Sequence, residues 1–162
     1  MIAQVNDPIK YIYSFTGSVT IVLLFLTTSL SLIKRHLNLL KYRRVIGLFG
    51  FFYAFLHFLN FYVFDAEFEL DFVIKESLDK PFIYLGMICF LILLFMAISS
   101  IKTLYSRYYK YHRFLYVVLI LITVHFVMAQ KSLSIIQWVY LFVITILLVL
   151  KFYQKKDLLF KG

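Results

Sequence analysis

Two histidines stand inside apolar stretches of this 162-residue chain at positions that would let them share one ligand. His57 precedes Asp65, the first charge after the run Val45–Phe64, by eight residues; His125 precedes Lys131, the first charge after Phe114–Gln130, by six. If both runs are helical, a rise of 1.5 Å per residue puts the two imidazoles ~12 Å and ~9 Å below neighbouring ends. Neutral imidazole is a good iron ligand, and two imidazoles at one depth on two helices can hold a haem edge-on between them. The plainer alternative is a hydrogen bond between helices, which is ordinary for one intramembrane histidine. Two at matched depth, with no acidic residue inside any apolar run to serve a proton relay, favour a ligand pair.

His112 lies thirteen residues before His125, ~20 Å lower on a helix and between Tyr111 and Arg113. It reads either as an interfacial anchor or as the ligand or neighbour of a second, inner cofactor. His36, beside Lys34 and Arg35, reads as a solvated loop residue. Gly50, seven residues before His57, would fall on the same helix face and leave room for a flat macrocycle, or else serve close helix packing. Cys89, the sole cysteine, reads as a small core residue. The chain contains no phosphate-binding glycine loop, HExxH, CxxC or G-x-S-x-G pattern.

The elements that must carry these histidines are membrane spans. Hydrophobic residues make up 63% of the chain and charged residues 15%, well away from the half and quarter of a soluble domain. Five runs free of Asp, Glu, Lys and Arg approach the about 20 residues needed to cross a bilayer: 11–33, 45–64, 81–101, 114–130 (extended to 111 by snorkelling flanks) and 132–150. The expectation is an all-α integral membrane protein, a bundle of about five helices forming a single domain over residues 1–162. Lys and Arg, counted along the successive non-membrane segments, number one, five, two, four, one and four. Thirteen of the seventeen therefore fall on one side, which the positive-inside rule makes cytoplasmic, with the N-terminus outside and the C-terminus inside. The net charge of +9 is thus a topology signal rather than a nucleic-acid surface.

Residues 1–10 lack the basic segment of a secretory leader, so the first run reads as a retained span. The segment Asp65–Lys80 holds six carboxylates, and Phe68, Leu70 and Phe72 alternate there with Glu67, Glu69 and Asp71. In extended form it would show one apolar and one acidic face, either lying on the outer membrane surface or docking an extracytoplasmic partner. Pro81 opens the third run at a position where its missing N–H costs nothing.

Several stretches together resemble the MsrQ (YedZ) family, the haem-binding membrane subunit of the MsrPQ protein-methionine-sulfoxide reductase system. They are NDPIKYIYSFTG near the start, YRRVIGLFGFFYAFLHF around His57, KPFIYLGM, AISS, and YHRFLYVVLILITVHF holding His112 and His125. The resemblance implies a ferric-reductase-like transmembrane domain in the bacterial inner membrane that binds haem b, with FMN as a further candidate cofactor. It implies electron flow from quinol or a cytoplasmic flavin reductase to a periplasmic molybdopterin-containing partner, which reduces methionine sulfoxide in envelope proteins. His57, His112 and His125 match the family's histidines. Members typically carry another span before the first motif, where this chain begins. Arg44, with Arg43 beside it, occupies the place of an inner histidine in related four-histidine reductases, and arginine suits a haem propionate or flavin phosphate rather than iron. Two other readings stay open at this point: a stand-alone b-type ferric or quinol reductase, and a haem-free scaffold whose histidines bond between helices.

Overall fold

The computed structural model describes residues 7–33 and 40–129, with isolated positions between 135 and 153. Its elements in chain order are α1 (Pro8–Ile33), α2 (Leu40–Asn60) prolonged by a π-helical turn (Phe61–Asp65), α3 (Leu70–Asp79), α4 (Pro81–Ser99), α5 (Lys102–Tyr108), a 3-10 turn (Tyr109–Arg113) and α6 (Phe114–Met128). Among the described residues four helical stretches are long and apolar enough to cross a membrane, Pro8–Leu30, Tyr42–Asp65, Pro81–Ser99 and Lys102–Met128. The expected fifth span, 132–150, lies outside the continuously described residues.

Local chemistry sets where the spans start. Asp7 caps α1, its Oδ1 accepting from the N–H groups of Ile9 (3.0 Å) and Lys10 (3.1 Å), and Pro8 takes the first helical position. Pro81 does the same for α4 and forces Lys80 into extended backbone, which separates α3 from α4 with a single residue. Inside α1 the hydroxyls of Thr16, Thr20, Thr27 and Thr28 donate to the carbonyls four residues back, so a buried row of threonines carries no unmet donor.

The four spans form a ring in which α1 packs on α2, α2 on α4, α4 on α6 and α6 on α1. That leaves α2 and α6 as one diagonal pair. In the α1–α2 hairpin Gly17 sits against His57, Leu24 against Gly50 and Thr27 against Gly47, a regular antiparallel register with a glycine at each close approach. This decides between the two roles open to Gly50 in favour of close helix packing: a Cβ there would meet Leu24 Cδ2 at 3.2 Å, so the space it leaves is filled by α1 and not held for a macrocycle. Midway along the ring a buried aliphatic core of Leu24, Leu93, Met96, Val118, Leu119 and Ile122 closes the bundle. Cys89 is buried in the same core, as a small filler would be.

The acidic segment is also corrected. It is helical, not extended, from Leu70 to Asp79: Val73 and Ser77 are buried on the side that packs on α4, while Leu70, Ile74 and Leu78 are exposed along one neighbouring face. The chain reaches it through Glu67 and Phe68, both with positive φ (45° and 68°), a tight reversal stabilised by Tyr62 donating its hydroxyl to the Phe68 carbonyl at 2.9 Å. This segment marks one end of the bundle as acidic; Arg43, Arg44, Lys102 and Arg113 mark the other as basic.

Candidate functional site

His57 on α2 and His125 on α6 face each other across the diagonal, near the acidic end. Their ring centroids are 6.5 Å apart and the ring planes cross at 89°. Each ring lies with its edge on a glycine of the neighbouring helix. A Cβ at Gly17 would stand 3.2 Å from His57 Cε1, and one at Gly86 2.8 Å from His125 Cε1. Without side chains at 17 and 86, the Cε1 edges of the imidazoles can approach the backbones of α1 and α4.

The proton positions follow from the partners. His125 Nδ1 is 2.6 Å from the backbone carbonyl of Phe82, which can only accept, so Nδ1 carries the proton. His57 Nδ1 is 3.1 Å from Thr16 Oγ1. The Thr16 hydroxyl already gives its one hydrogen to the Ile12 carbonyl at 2.8 Å, and so must accept from His57. Asn60, one turn along α2, donates a second hydrogen bond to the same oxygen at 3.2 Å. Both rings are therefore Nδ1–H tautomers with the lone pair on Nε2. Imidazoles that ligate a metal through one nitrogen and donate the other N–H to a carbonyl or hydroxyl show this pattern.

The spacing suits a single metal between the rings. Metal–nitrogen bonds of about 2 Å, with each ring centre about 1 Å behind its nitrogen, put two axial imidazoles about 6 Å apart centre to centre. Among the described residues no cluster of three or more His, Cys, Asp or Glu could hold an ion alone, so His57 and His125 would suit a group that brings its own remaining ligands. The surroundings are aromatic. Phe58 stacks on Phe90 at 4.6 Å between α2 and α4, Tyr13 meets His57 edge-on at 5.7 Å, and Phe82 lies 6.2 Å from His125. Tyr13 also donates its hydroxyl to the Asp65 carboxylate, which ties α1 to the π-helical turn just beyond His57.

The basic end differs. His112 lies in the 3-10 turn before α6 with Nε2 3.4 Å from Ser99 Oγ, and its ring is 5.3 Å from Tyr105. The Ser99 hydroxyl donates to Met96 O at 3.1 Å, so it receives the His112 N–H on the very nitrogen that the other two histidines leave open. Arg43 is half-buried and near enough for its charge to act on this imidazole, whereas Arg44 is exposed. The structure thus brings His57 together with His125, sets His112 separately against Ser99 and Tyr105 with Arg43 within electrostatic range, and leaves Arg44 exposed. His36 lies outside the described residues. Sequence reasoning missed Gly17, Thr16, Asn60, Gly86 and the Phe82 carbonyl, because each is defined by which helix lies opposite.

Residues 14–129 match the family described as "Ferric reductase like transmembrane component". The chain is 34% identical over 154 residues to the protein-methionine-sulfoxide reductase heme-binding subunit MsrQ of Pectobacterium atrosepticum, an alignment covering 90% of this chain and 77% of that one. It is 34% identical over 125 residues to the MsrQ of Rhizobium meliloti (75% of this chain, 58% of that one). A third relative, the MsrQ of Brucella ovis, is 33% identical over 132 residues (78% and 60%). The chain therefore spans between somewhat over half and about three quarters of these relatives' lengths. No solved structure matches it.

Proposed function

The chain belongs to the ferric-reductase-like transmembrane family and, within it, to the MsrQ heme-binding subunits, and from that membership we propose that it carries electrons across the membrane through haem b held by His57 and His125. The observation that supports this most directly is the facing pair itself: two imidazoles at one level, 6.5 Å apart, with both Nδ1 protons committed to α1 and α4. Haem iron, when bound, supplies one-electron transfer between its ferric and ferrous states.

The chain's own residues have three tasks. His57 and His125 present neutral Nε2 lone pairs, and Thr16 and the Phe82 carbonyl orient those rings and make the nitrogens better donors. Aromatic and aliphatic side chains exclude water on either side, from the Phe51–Phe90–Phe58 stack to the Leu119 core. At the basic end His112 and Arg43 serve an inner cofactor or its donor, Arg43 and Arg44 holding an anionic group such as a propionate or the FMN phosphate. The lysine and arginine asymmetry supports an inner-membrane orientation with the basic end cytoplasmic and the acidic end periplasmic. Electrons then enter from quinol or a cytoplasmic flavin reductase and leave at the acidic end for a periplasmic molybdopterin-containing, MsrP-like subunit. Reduction of methionine sulfoxide takes place on that partner, and the whole of 1–162 acts as one haem-binding domain.

The test is a reduced-minus-oxidised visible spectrum of protein purified in detergent, with haem and flavin quantified per chain, for wild type and for His57→Ala, His125→Ala and His112→Ala. A b-type signal lost in both of the first two variants is the expected result. Full haem in either of them would end the assignment. A colourless, well-folded wild type would leave the scaffold reading in its place.

A further inference from the structure

The imidazole planes of His57 and His125 cross at 89°, and the contacts that produce this angle come from helices that carry no ligand. A histidine's final torsion is broad, so one hydrogen bond alone leaves the plane of the ring soft. Each ring here has two restraints on one surface. For His125 the Phe82 carbonyl holds Nδ1 at 2.6 Å, and Gly86, one turn further along α4, lies beneath the same edge. For His57 the Thr16 hydroxyl holds Nδ1 at 3.1 Å and its neighbour Gly17 lies beneath the edge, while Asn60 fixes the hydroxyl from the other side. A hydrogen bond plus a flat shelf fixes a plane, where either alone fixes only a point or a side.

We propose that Gly86, Thr16 and Gly17 are positioning residues that hold the two axial imidazoles perpendicular, so that α1 and α4 set the ligand field of the shared iron. This rests on the haem reading above and adds to it the residues that determine the electronic character of the site. Parallel axial imidazoles split the iron d orbitals in the same sense, whereas crossed imidazoles oppose each other. The ferric low-spin iron of a crossed pair gives a strongly anisotropic electron paramagnetic resonance signal with a large maximal g value. A parallel pair gives an ordinary rhombic signal. The readout therefore reports the ring planes and not merely the presence of ligands.

The two glycines are not equivalent. A methyl at Gly86 would stand 2.8 Å from Cε1 and 3.1 Å from Nδ1 of a ring already held by the Phe82 carbonyl, so that ring must turn. A methyl at Gly17 meets the His57 ring no closer than 3.2 Å, and a small shift relieves it.

The experiment is the resonance spectrum of oxidised, haem-loaded full chain, with the relevant signal identified by its loss in His57→Ala. Wild type is expected to show the strongly anisotropic form. Gly86→Ala should convert it to the rhombic form, Gly17→Ala should shift it less, and Thr16→Val should shift it while Thr16→Ser restores it. The Thr16 pair also decides the matter if Gly86→Ala fails to fold. A rhombic signal from haem-loaded wild type, or no change in Gly86→Ala and Thr16→Val, overturns the proposal while leaving haem ligation intact. A wild type with no haem on His57 and His125 overturns both.

Discussion

The bundle carries two levels built on one register, and only one of them has the form of a ligand pair. Stepping thirteen residues along each span, ~20 Å at 1.5 Å per residue, replaces Gly17 by Leu30 on α1 and His57 by Arg44 on α2. The same step replaces Gly86 by Ser99 on α4 and His125 by His112 ahead of α6. At the upper level each histidine lies on a glycine and donates through Nδ1, so Nε2 remains a lone pair. At the lower level the glycine position opposite the histidine holds a serine, whose hydroxyl takes Nε2. A histidine at the right depth is thus not enough. What opposes it decides whether its outer nitrogen is offered or consumed.

The largest effect should come from giving the upper level the lower level's side chains. Gly86→Leu places a branched side chain where a Cβ alone already stands 2.8 Å from the His125 ring, and haem per chain should fall to near zero in protein that still elutes as a folded species. Retained wild-type haem would mean that the glycine shelf is not part of the site. Next in size is Thr16→Val, which removes the hydroxyl that accepts from His57 Nδ1–H but keeps shape and volume. Loss of such a partner typically weakens a metal site about 10–100-fold, so haem titration should show reduced affinity, and the midpoint potential should rise because the imidazole becomes a poorer donor. Unchanged affinity and potential would break the distinction between tethered and captured histidines.

How much of this was legible in the chain depends on what fixes each feature. The common depth of His57 and His125 follows from counting residues to the nearest charge, since helix rise is constant, and the rings do meet. Which face meets which neighbour is not local information. Gly50 shares a face with His57 by its spacing of seven, but at its level α1 supplies Leu24 and the space is already filled. A signal was nevertheless present: glycines at 47 and 50 on α2 and Gly17 on α1 have partners spaced alike, as a close antiparallel hairpin requires. In the acidic segment the two-residue alternation spans only 67–72, whereas Leu70, Val73, Ile74, Ser77 and Leu78 follow the helical period over nine residues. The longer pattern governs the fold, and Pro81 ends it.

Two smaller substitutions sharpen the separation of the levels. Ser99→Ala removes the hydroxyl that meets His112 Nε2 at the basic end and touches nothing near Gly86 or Gly17, so the b-type spectrum assigned to His57 and His125 should be unchanged. Any effect should be confined to a signal that His112→Ala also removes. A shift in the upper-level spectrum would mean that the core from Leu93 to Leu119 transmits ring position between the levels.

The smallest effect belongs to the tie between Tyr13 and Asp65 at the acidic end. Tyr13→Phe deletes the hydroxyl donated to Asp65 but keeps the ring that meets His57 edge-on at 5.7 Å. Because Asp65 is exposed, water replaces much of the lost bond, and the cost should be about 1 kcal/mol in detergent unfolding. Haem content and ring planes should hold, since Thr16 and Gly17 restrain His57 independently. The double variant Tyr13→Phe/Thr16→Val separates two cases. If its haem loss equals that of Thr16→Val alone, the tie only joins α1 to the π-helical turn. A loss greater than the two single variants combined would make Tyr13 a third support of the His57 plane, and the upper level would then owe its geometry to one more residue of α1.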